Sequence, residues 1–334
     1  MKFVLPAILL FIILLQSCDT DFDVIAPYKE VIVIDGLLNA NDSIQKVRIS
    51  KAFLGEGNAY VMASNYDSIY YGDILEVRLE KILNNQVTSI TLTRSEAHDK
   101  DSGVFYYPDY VFYTSQSPIL QDGSKYRITV TNTQTGVTAS STTQIVKDLV
   151  LQTPSHANMD SIDIASGNSP FNIVYSPGAN SKICDLIFRF HYREIDPQGN
   201  STDKYIDWNF TDQTFSNTPA EVKYNFRKND WFRILGENIP DLPGYTRRID
   251  SLANGAKPVE LICLAGTEDL MTYLQLQAPL NGIAQERPVF TTVENGLGLF
   301  TSRLIRPEFR WLNSKTMAAF DTSVYTRNLN FKFD

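Results

Sequence analysis

The chain has 334 residues, 43% of them apolar, enough for two domains of about 150 residues each with real cores. With 30 basic against 38 acidic residues its formal net charge is −8, which excludes recognition of a phosphate backbone by clustered Lys and Arg and leaves nucleic acid out as a partner. Its His, Cys and acidic residues fall in no metal-ligand spacing, and no cofactor motif is present.

Lys2 gives a positive start, Phe3 to Leu15 is almost wholly apolar, and Leu15-Gln16-Ser17-Cys18 closes the stretch. That is the order of a secretory signal. About 13 apolar residues containing Pro6 fall short of the roughly 20 a membrane-spanning helix needs. The ending resembles the bacterial lipobox. The resemblance implies that residues 1–17 are removed and that Cys18 carries a lipid and becomes the acylated N-terminus. Asp19-Thr20-Asp21-Phe22-Asp23 resembles the acidic lipoprotein export signal of Bacteroidota. That implies an address on the outer membrane, facing the cell exterior, with Asp19, Asp21 and Asp23 as the export signal. Residues 18–28 then form an acidic tether, which from Asp19 to Tyr28 spans only about 30 Å.

Residues 29–147 are dense in strand signals. Glu30 to Gly36 is a β-branched run, and Gln45–Ser50, Ile74–Glu80 and Ser89–Thr93 alternate polar with apolar. Tyr126–Thr131, a turn at Thr135-Gly136, and Val137–Thr142 read as a hairpin. Short alternating strands separated by turns predict an immunoglobulin-like antiparallel β-sandwich. Gly123-x-x-Tyr126 matches a tyrosine corner, where a strand-start Tyr bonds backbone upstream, as well as an ordinary turn before a strand.

Leu149 to Pro170 is rich in Ser, Asn, Asp and Pro, so residues 148–170 read as a linker or crossing loop. Residues 171–334 read as a second, β-rich domain with one or two short helices. Phe171–Tyr175 opens it, and Leu186–Arg193, a turn at Asp196–Asn200 and Lys204–Asn209 form a second hairpin. Asn229–Gly236 is predicted as a helix ending at its glycine, and Thr267 as the N-cap of a helix over Glu268–Gln277. Leu270, Tyr273, Leu274 and Gln277 share a face expected to pack on a sheet.

Four places resemble a domain-of-unknown-function family of Bacteroidota lipoproteins often found beside TonB-dependent receptors. They are the lipobox at Cys18, Val33-Ile34-Asp35-Gly36-Leu37, Gly123-x-x-Tyr126, and Asn295-Gly296-Leu297-Gly298-Leu299-Phe300. The resemblance implies a TonB-dependent receptor as partner and no catalytic residue. The residues themselves read Asn295–Phe300 as a glycine turn leading into a strand.

The remaining chemistry is sparse. His98, His156 and His191 are far apart, and Ser201-x-x-Lys204 follows a hairpin turn where its enzymatic use requires a helix. Asp99-Lys100-Asp101-Ser102-Gly103 lacks the glycine and glutamate positions of a calcium loop. Cys184 and Cys263 sit in segments that read as buried strands. An exported protein permits a disulfide, but separately buried thiols are favoured. Asp42-Ser43-Ile44, Asp67-Ser68-Ile69, Asp160-Ser161-Ile162 and Asp250-Ser251-Leu252 resemble the Asp-Ser/Thr-apolar O-glycosylation acceptor of exported Bacteroidota proteins. That makes Ser43, Ser68, Ser161 and Ser251 candidate acceptors.

Gly55 to Tyr71 interleaves Gly, Asn, Ser and Tyr without a strand period, as adaptable contact loops do. Tyr66, Tyr70 and Tyr71 are therefore expected to be exposed and to contact a partner. The run Phe105–Tyr113 reads as alternating core aromatics or as an exposed platform which, with Trp208 and Trp311, would bind glycan. The leading expectation is a non-enzymatic surface lipoprotein assisting a TonB-dependent receptor. A glycan-binding lipoprotein is the alternative, and a hydrolase of unrecognised type a further one.

Cys18→Ala is expected to leave the chain soluble or stalled as a precursor, because no other segment can hold it to a bilayer. Unchanged membrane fractionation of the variant would refute the anchor. Replacing Asp19, Asp21 and Asp23 by Ala should preserve acylation and lower digestion by external protease in intact cells.

Overall fold

The first half forms eight strands: the stretches read as strands fall in them, as an extended period of two requires, except that Ser89–Thr93 straddles two, breaking at Leu92. The strands are β1 (Ile32–Asn39), β2 (Gln45–Lys51), β3 (Leu75–Leu83), β4 (Gln86–Thr91), β5 (Thr93–Ala97), β6 (Tyr110–Ser115), β7 (Lys125–Asn132) and β8 (Thr138–Gln144). Two short helices, α1 (Ala59–Ala63) and α2 (Tyr66–Ile69), lie between β2 and β3. The structure is a computed structural model describing residues 29–52, 58–115, 120–121, 123–155, 161–250, 252–278 and 289–333. One layer runs β5-β6-β2-β1 and the other β4-β3-β7-β8. That pairing is the immunoglobulin-like sandwich the sequence predicts. Inward residues such as Ile34, Val47, Ile49, Val111, Ile128 and Val130 are buried between the layers. Tyr126 is a tyrosine corner: its hydroxyl accepts the Gln121 N–H at 3.0 Å.

The second half is β-rich with short helices. It comprises β9 (Val150–Thr153), β10 (Ser161–Ile162), β11 (Phe171–Ser176), β12 (Ile183–Ile195), β13 (Ser201–Asn209), β14 (Gln213–Thr214), β15 (Val222–Phe226), β16 (Thr246–Arg248), β17 (Val259–Gly266), β18 (Gly296–Leu297), β19 (Phe300–Leu312) and β20 (Phe331–Lys332). Its helices are α3 (Lys228–Asn238), α4 (Glu268–Gln277) and α5 (Ser314–Thr322). Trp231 of α3 packs on Phe188 and Phe190 of β12, edge to face on Phe190 at 5.6 Å, and Phe320 of α5 packs on Phe190 and on Trp231 and Phe232 of α3. Rings this close add stabilisation beyond their buried area. The small sheet β15-β11-β9 covers β12 and β17, and the Tyr175 hydroxyl donates to the carbonyls of Asp185 and Leu264.

The two halves share one sheet. Its order is β20-β16-β12-β17-β19-β1-β2-β6-β5, so β1 of the sandwich lies directly beside β19. The pairing is parallel and in one register, from Ile32 opposite Gly296 through Gly36 opposite Phe300 to Asn39 opposite Arg303. A division at residues 148–170 therefore separates the sequence but not the sheet. That segment is also more than a linker: β9 pairs with β11, β10 pairs with β19, and Leu149, Ile162 and Ile164 are buried.

Asn295–Phe300 is the seam itself. A Cβ on Gly296 would lie 2.5 Å from the Ile32 carbonyl oxygen, and one on Gly298 2.2 Å from that of Ile34. Gly298 also has φ +110°, which side-chain-bearing residues avoid. Across the seam, Glu294 and Ser140 of β8 exchange both backbone hydrogen bonds, at 2.7 and 3.1 Å. The segment thus fills the gap between β1 and β8.

Two helix expectations are corrected. Gly236 does not end α3, which continues to Asn238. Its missing Cβ makes room for the Tyr325 backbone, whose carbonyl oxygen a Cβ would approach to 2.5 Å. The helix α4 has the predicted bounds, and the Thr267 hydroxyl accepts the Leu270 N–H. Its apolar face meets the sheet only in part: Leu270 lies over Gly266 at the end of β17, where an added Cβ would come within 2.6 Å of it, whereas Tyr273 is half-buried and Leu274 and Gln277 are exposed.

Cys184 and Cys263 are free and buried. They sit on adjacent strands, with Cys184 opposite Ala265 and Cys263 opposite Leu186, a diagonal relation wider than that of directly opposed residues. Burial pushes their thiols up to about 11 and about 12.

Gly298→Ala is expected to destabilise the fold by about 3 kcal/mol, through backbone overlap and φ strain together. Gly103→Ala, where a Cβ meets nothing within 4 Å, should fall within about 0.5 kcal/mol of the parent. Denaturant melts of both variants check the contrast, and equal midpoints would contradict the role of the seam.

Candidate functional site

Outward residues of the sandwich sheet alternate with its core residues. Asp35 and Leu37 of β1, Lys46 and Arg48 of β2, and Tyr110 and Phe112 of β6 share this outer face. They form the floor of a cleft of about 940 Å³. One wall holds Tyr70 and Asp99 to Asp101, and the other holds Leu299, Arg303 of β19 and Tyr273 of α4. The cleft therefore spans the seam between the two halves.

Its charges largely answer one another. The Arg48 guanidinium reaches Asp35 at 2.7 Å, and the Lys46 ammonium lies 4.9 Å from the centre of the Phe112 ring. Lys100 donates to the Tyr106 carbonyl at 2.6 Å. Burial, reinforced by the Arg48 charge, holds the Lys100 ammonium below its ordinary range. Arg303 carries no ion pair among the described residues, and its Nε is buried without a hydrogen-bond partner. Beyond it, the β1–β2 turn is fixed by Gln45, which donates to the Asn39 and Asp42 carbonyls, and by Asn41, which donates to Ile305 of β19. Mutually paired charges beside aromatic faces, set on strands, suit recognition of a ligand surface.

Tyr66, Tyr70 and Tyr71 are not exposed, which corrects the expectation. Tyr70 and Tyr71 are buried and Tyr66 is half-buried. The cause is that α1 and α2 plug the end of the sandwich. The Tyr66 ring packs on Tyr70 at 5.1 Å and on Tyr106 at 5.3 Å, and its hydroxyl binds Arg94 and Glu96. Lys51 lies over the ring of Tyr71 at 5.6 Å. This part of the loop is structural, and the assignment of Tyr70 and Tyr71 as partner contacts falls with their exposure. The exposed apolar side chains at this end are Tyr60, Val61, Val104, Phe105 and Tyr107. For Phe105 and Tyr107 the exposed one of the two readings holds, because the alternation becomes a strand only at Tyr110; Tyr60, Val61 and Val104 carried no sequence signal of their own.

Other candidates are dispersed. Cys18, Asp19, Asp21, Asp23, Ser251 and His156 lie outside the described residues. Ser43 is exposed in the β1–β2 turn, whereas Ser68 sits half-buried in α2 and Ser161 half-buried in β10. Trp208 stacks on Phe210 at 4.8 Å and packs at a tilt against Phe226 at 4.9 Å, so it closes the core instead of forming a platform. Trp311 is half-buried on β19. His98 contacts Asp109, and His191 shares the Glu260 carboxylate with Arg189. No group of three or more His, Cys, Asp or Glu that could hold a metal ion occurs among the described residues.

The chain enters this end of the sandwich at Glu30. Its carboxylate accepts from Asn132 and from Thr135 of the β7–β8 turn, both at 2.7 Å. Burial raises its pKa, but those bonds, Tyr71 and Lys51 outweigh it, and the net position is below the ordinary carboxylate range.

No family model matches the chain, and no curated protein matches it in sequence. Among solved structures it is similar to the C-terminal globular domain of an oligosaccharyltransferase from Pyrococcus abyssi, at 11% identity and a TM-score of 0.20. That match covers 60% of this chain and 41% of the other, so this chain spans less than half of that structure's length.

Arg48→Ala should change stability by less than about 1 kcal/mol, because the Asp35 pair is solvent-exposed. A depressed carboxylate contributes stability above its unfolded pKa and loses it as pH falls through the folded value. The melting-temperature difference between parent and Glu30→Gln should therefore shrink between neutral pH and about pH 3. A difference that stays constant with pH would count against this role of Glu30.

Proposed function

We propose that the chain is a non-enzymatic lipoprotein of the outer membrane, anchored through Cys18 and facing the cell exterior, that serves as an accessory or binding partner of a TonB-dependent receptor. The reading rests on the resemblance to the lipoprotein family and on one geometric observation. The described chain begins beside the end of the sandwich that carries the α1 and Val104–Tyr107 loops, and the cleft opens on the side of the same sheet. A tether of about 30 Å keeps that end beside whatever flanks the anchor. A cleft built on strands, with Asp35 and Arg48 already paired, offers a neighbour a preformed surface whose ordering cost is small.

Tyr110, Phe112 and Tyr273 around the cleft support glycan binding as a second reading, since sugar rings stack on aromatic faces beside polar groups. The hydrolase alternative has less to stand on. Among the described residues no nucleophile, base and orienting group come together.

Affinity purification of the tagged chain from detergent-solubilised outer membranes is expected to recover a TonB-dependent receptor. The combined substitution Arg48→Ala, Phe112→Ala and Tyr273→Ala should lower that recovery by ~tenfold or more without lowering the melting temperature. Recovery of parent chain without any receptor would sink the accessory reading. Binding of neutral oligosaccharides by the parent, lost in Phe112→Ala, would favour the second.

A further inference from the structure

The exposed apolar side chains at the tether end form a single patch. Tyr60 is 70% exposed, Val61 66%, Val104 and Phe105 53% each, and Tyr107 50%. They lie on two segments that the fold joins, because the Tyr106 N–H donates to the Ala63 carbonyl at 2.8 Å. Single exposed apolar residues need no explanation, but apolar residues gathered on adjoining loops mark a contact surface.

Strand register shows which end this is. Ile32, at the start of β1, lies opposite Lys51, at the end of β2, so the connection carrying α1 leaves from the end where the chain enters. The strand β6 begins at Tyr110 and runs antiparallel to β2, with Tyr113 opposite Val47, so the Val104–Tyr107 segment leaves from that end as well. Between Cys18 and Lys29 the chain reaches at most about 36 Å when fully extended. With Cys18 held in a bilayer, this end cannot leave the membrane surface. Tethering raises the effective concentration of lipid at the patch, so a contact too weak to hold a free protein is sufficient. The composition fits the interface of a bilayer: Tyr60 and Tyr107 carry a polar tip on an apolar body, and the Lys100 ammonium lies 5.9 Å from the centre of the Phe105 ring. Asp99 and Asp101 flank the segment, so neutral and zwitterionic lipid suits it better than anionic lipid.

We propose that α1 and the Val104–Tyr107 turn rest in the bilayer interface as a second, non-covalent membrane contact. This rests on the lipoprotein reading given above. The contact stands the sandwich strands off the membrane and turns the cleft sideways, toward neighbouring outer-membrane proteins.

The test uses the mature chain beginning at Cys18, coupled through that thiol to a maleimide lipid in phosphatidylcholine vesicles. The native Cys184 and Cys263 are buried and do not compete. Phe105→Trp and Tyr60→Trp place a reporter in the patch. Tyr205→Trp places one on β13, toward the opposite end of the molecule, at a site 56% exposed. Brominated acyl chains should remove about half or more of the emission added at 60 and 105 and leave that at 205 unchanged, because they quench only at bilayer depth. Unchanged melting temperatures confirm that these surface exchanges leave the fold intact. Absence of quenching at 60 and 105 overturns the proposal, as does equal quenching at all three positions. Shielding from aqueous acrylamide in native outer membranes but not in the vesicles would assign the patch to a protein neighbour, and overturns it too. Detergent partitioning of parent and Cys18→Ala from cells reports the anchor separately. Because the coupling supplies the tether chemically, the vesicle result stands whatever that measurement gives.

Discussion

The close parallel contact between β1 and the β18–β19 strand is the constraint on which the rest of the structure depends. Two carbonyls of β1, from Ile32 and Ile34, lie where the Cβ atoms of Gly296 and Gly298 would otherwise stand. Only glycine allows that approach, and at Gly298 only glycine accommodates the backbone angle. Gly36 answers from the other strand: a Cβ there would lie 2.9 Å from the Phe300 ring. Each of these strands needs the other to complete its backbone hydrogen bonds, so neither half closes its sheet alone.

From this seam follows the layout of the molecule. The strand β19 runs parallel to β1 and extends past it, pairing onward with β17 through Arg310 opposite Val259. The aromatic core around Trp231, Phe190 and Phe320 therefore lies beyond the end of the sandwich opposite to the one the chain enters. It is held there by a buried charge network. The Arg247 guanidinium bonds Glu194 and the carbonyls of Leu329 and Pro240, while Lys204 takes the other oxygen of Glu194. Removing one member of such a network leaves an uncompensated buried charge, at a cost of about 3–5 kcal/mol. The network thus pins the C-terminal strand to the sheet.

The cleft is a product of the same junction. Its floor belongs to the sandwich, one wall belongs to the second half, and neither half has both. The tyrosines at its edge show how an apolar loop divides its work. Tyr66, Tyr70 and Tyr71 fill the end of the sandwich, which leaves Tyr60 and the Val104–Tyr107 segment outside. A loop rich in aromatics can be core and surface within a dozen residues, because short helices present alternate sides at each turn.

Most strands were legible because a half-buried strand writes its burial into a period of two, as Gln45–Ser50 and Tyr126–Thr131 do. Tyr126 and Thr267 were legible because a corner and a cap are local. The Asn295–Phe300 motif was legible only as a turn. Its glycines answer to carbonyls near the start of the chain, and nothing in the neighbouring residues records that. The cleft was not legible, since Asp35, Arg48, Phe112, Tyr273 and Arg303 meet only after the seam forms, and the Ser- and Asn-rich composition of residues 148–170 concealed two strands. By itself the sequence determined most of the longer strands, the helix over Glu268–Gln277 with its Thr267 cap, and the Tyr126 corner, because those follow from periodicity and local hydrogen bonding. Only the tertiary structure decided which strands are neighbours, which aromatics are buried and where the cleft lies, because those depend on pairing between segments that sequence pattern cannot bring together.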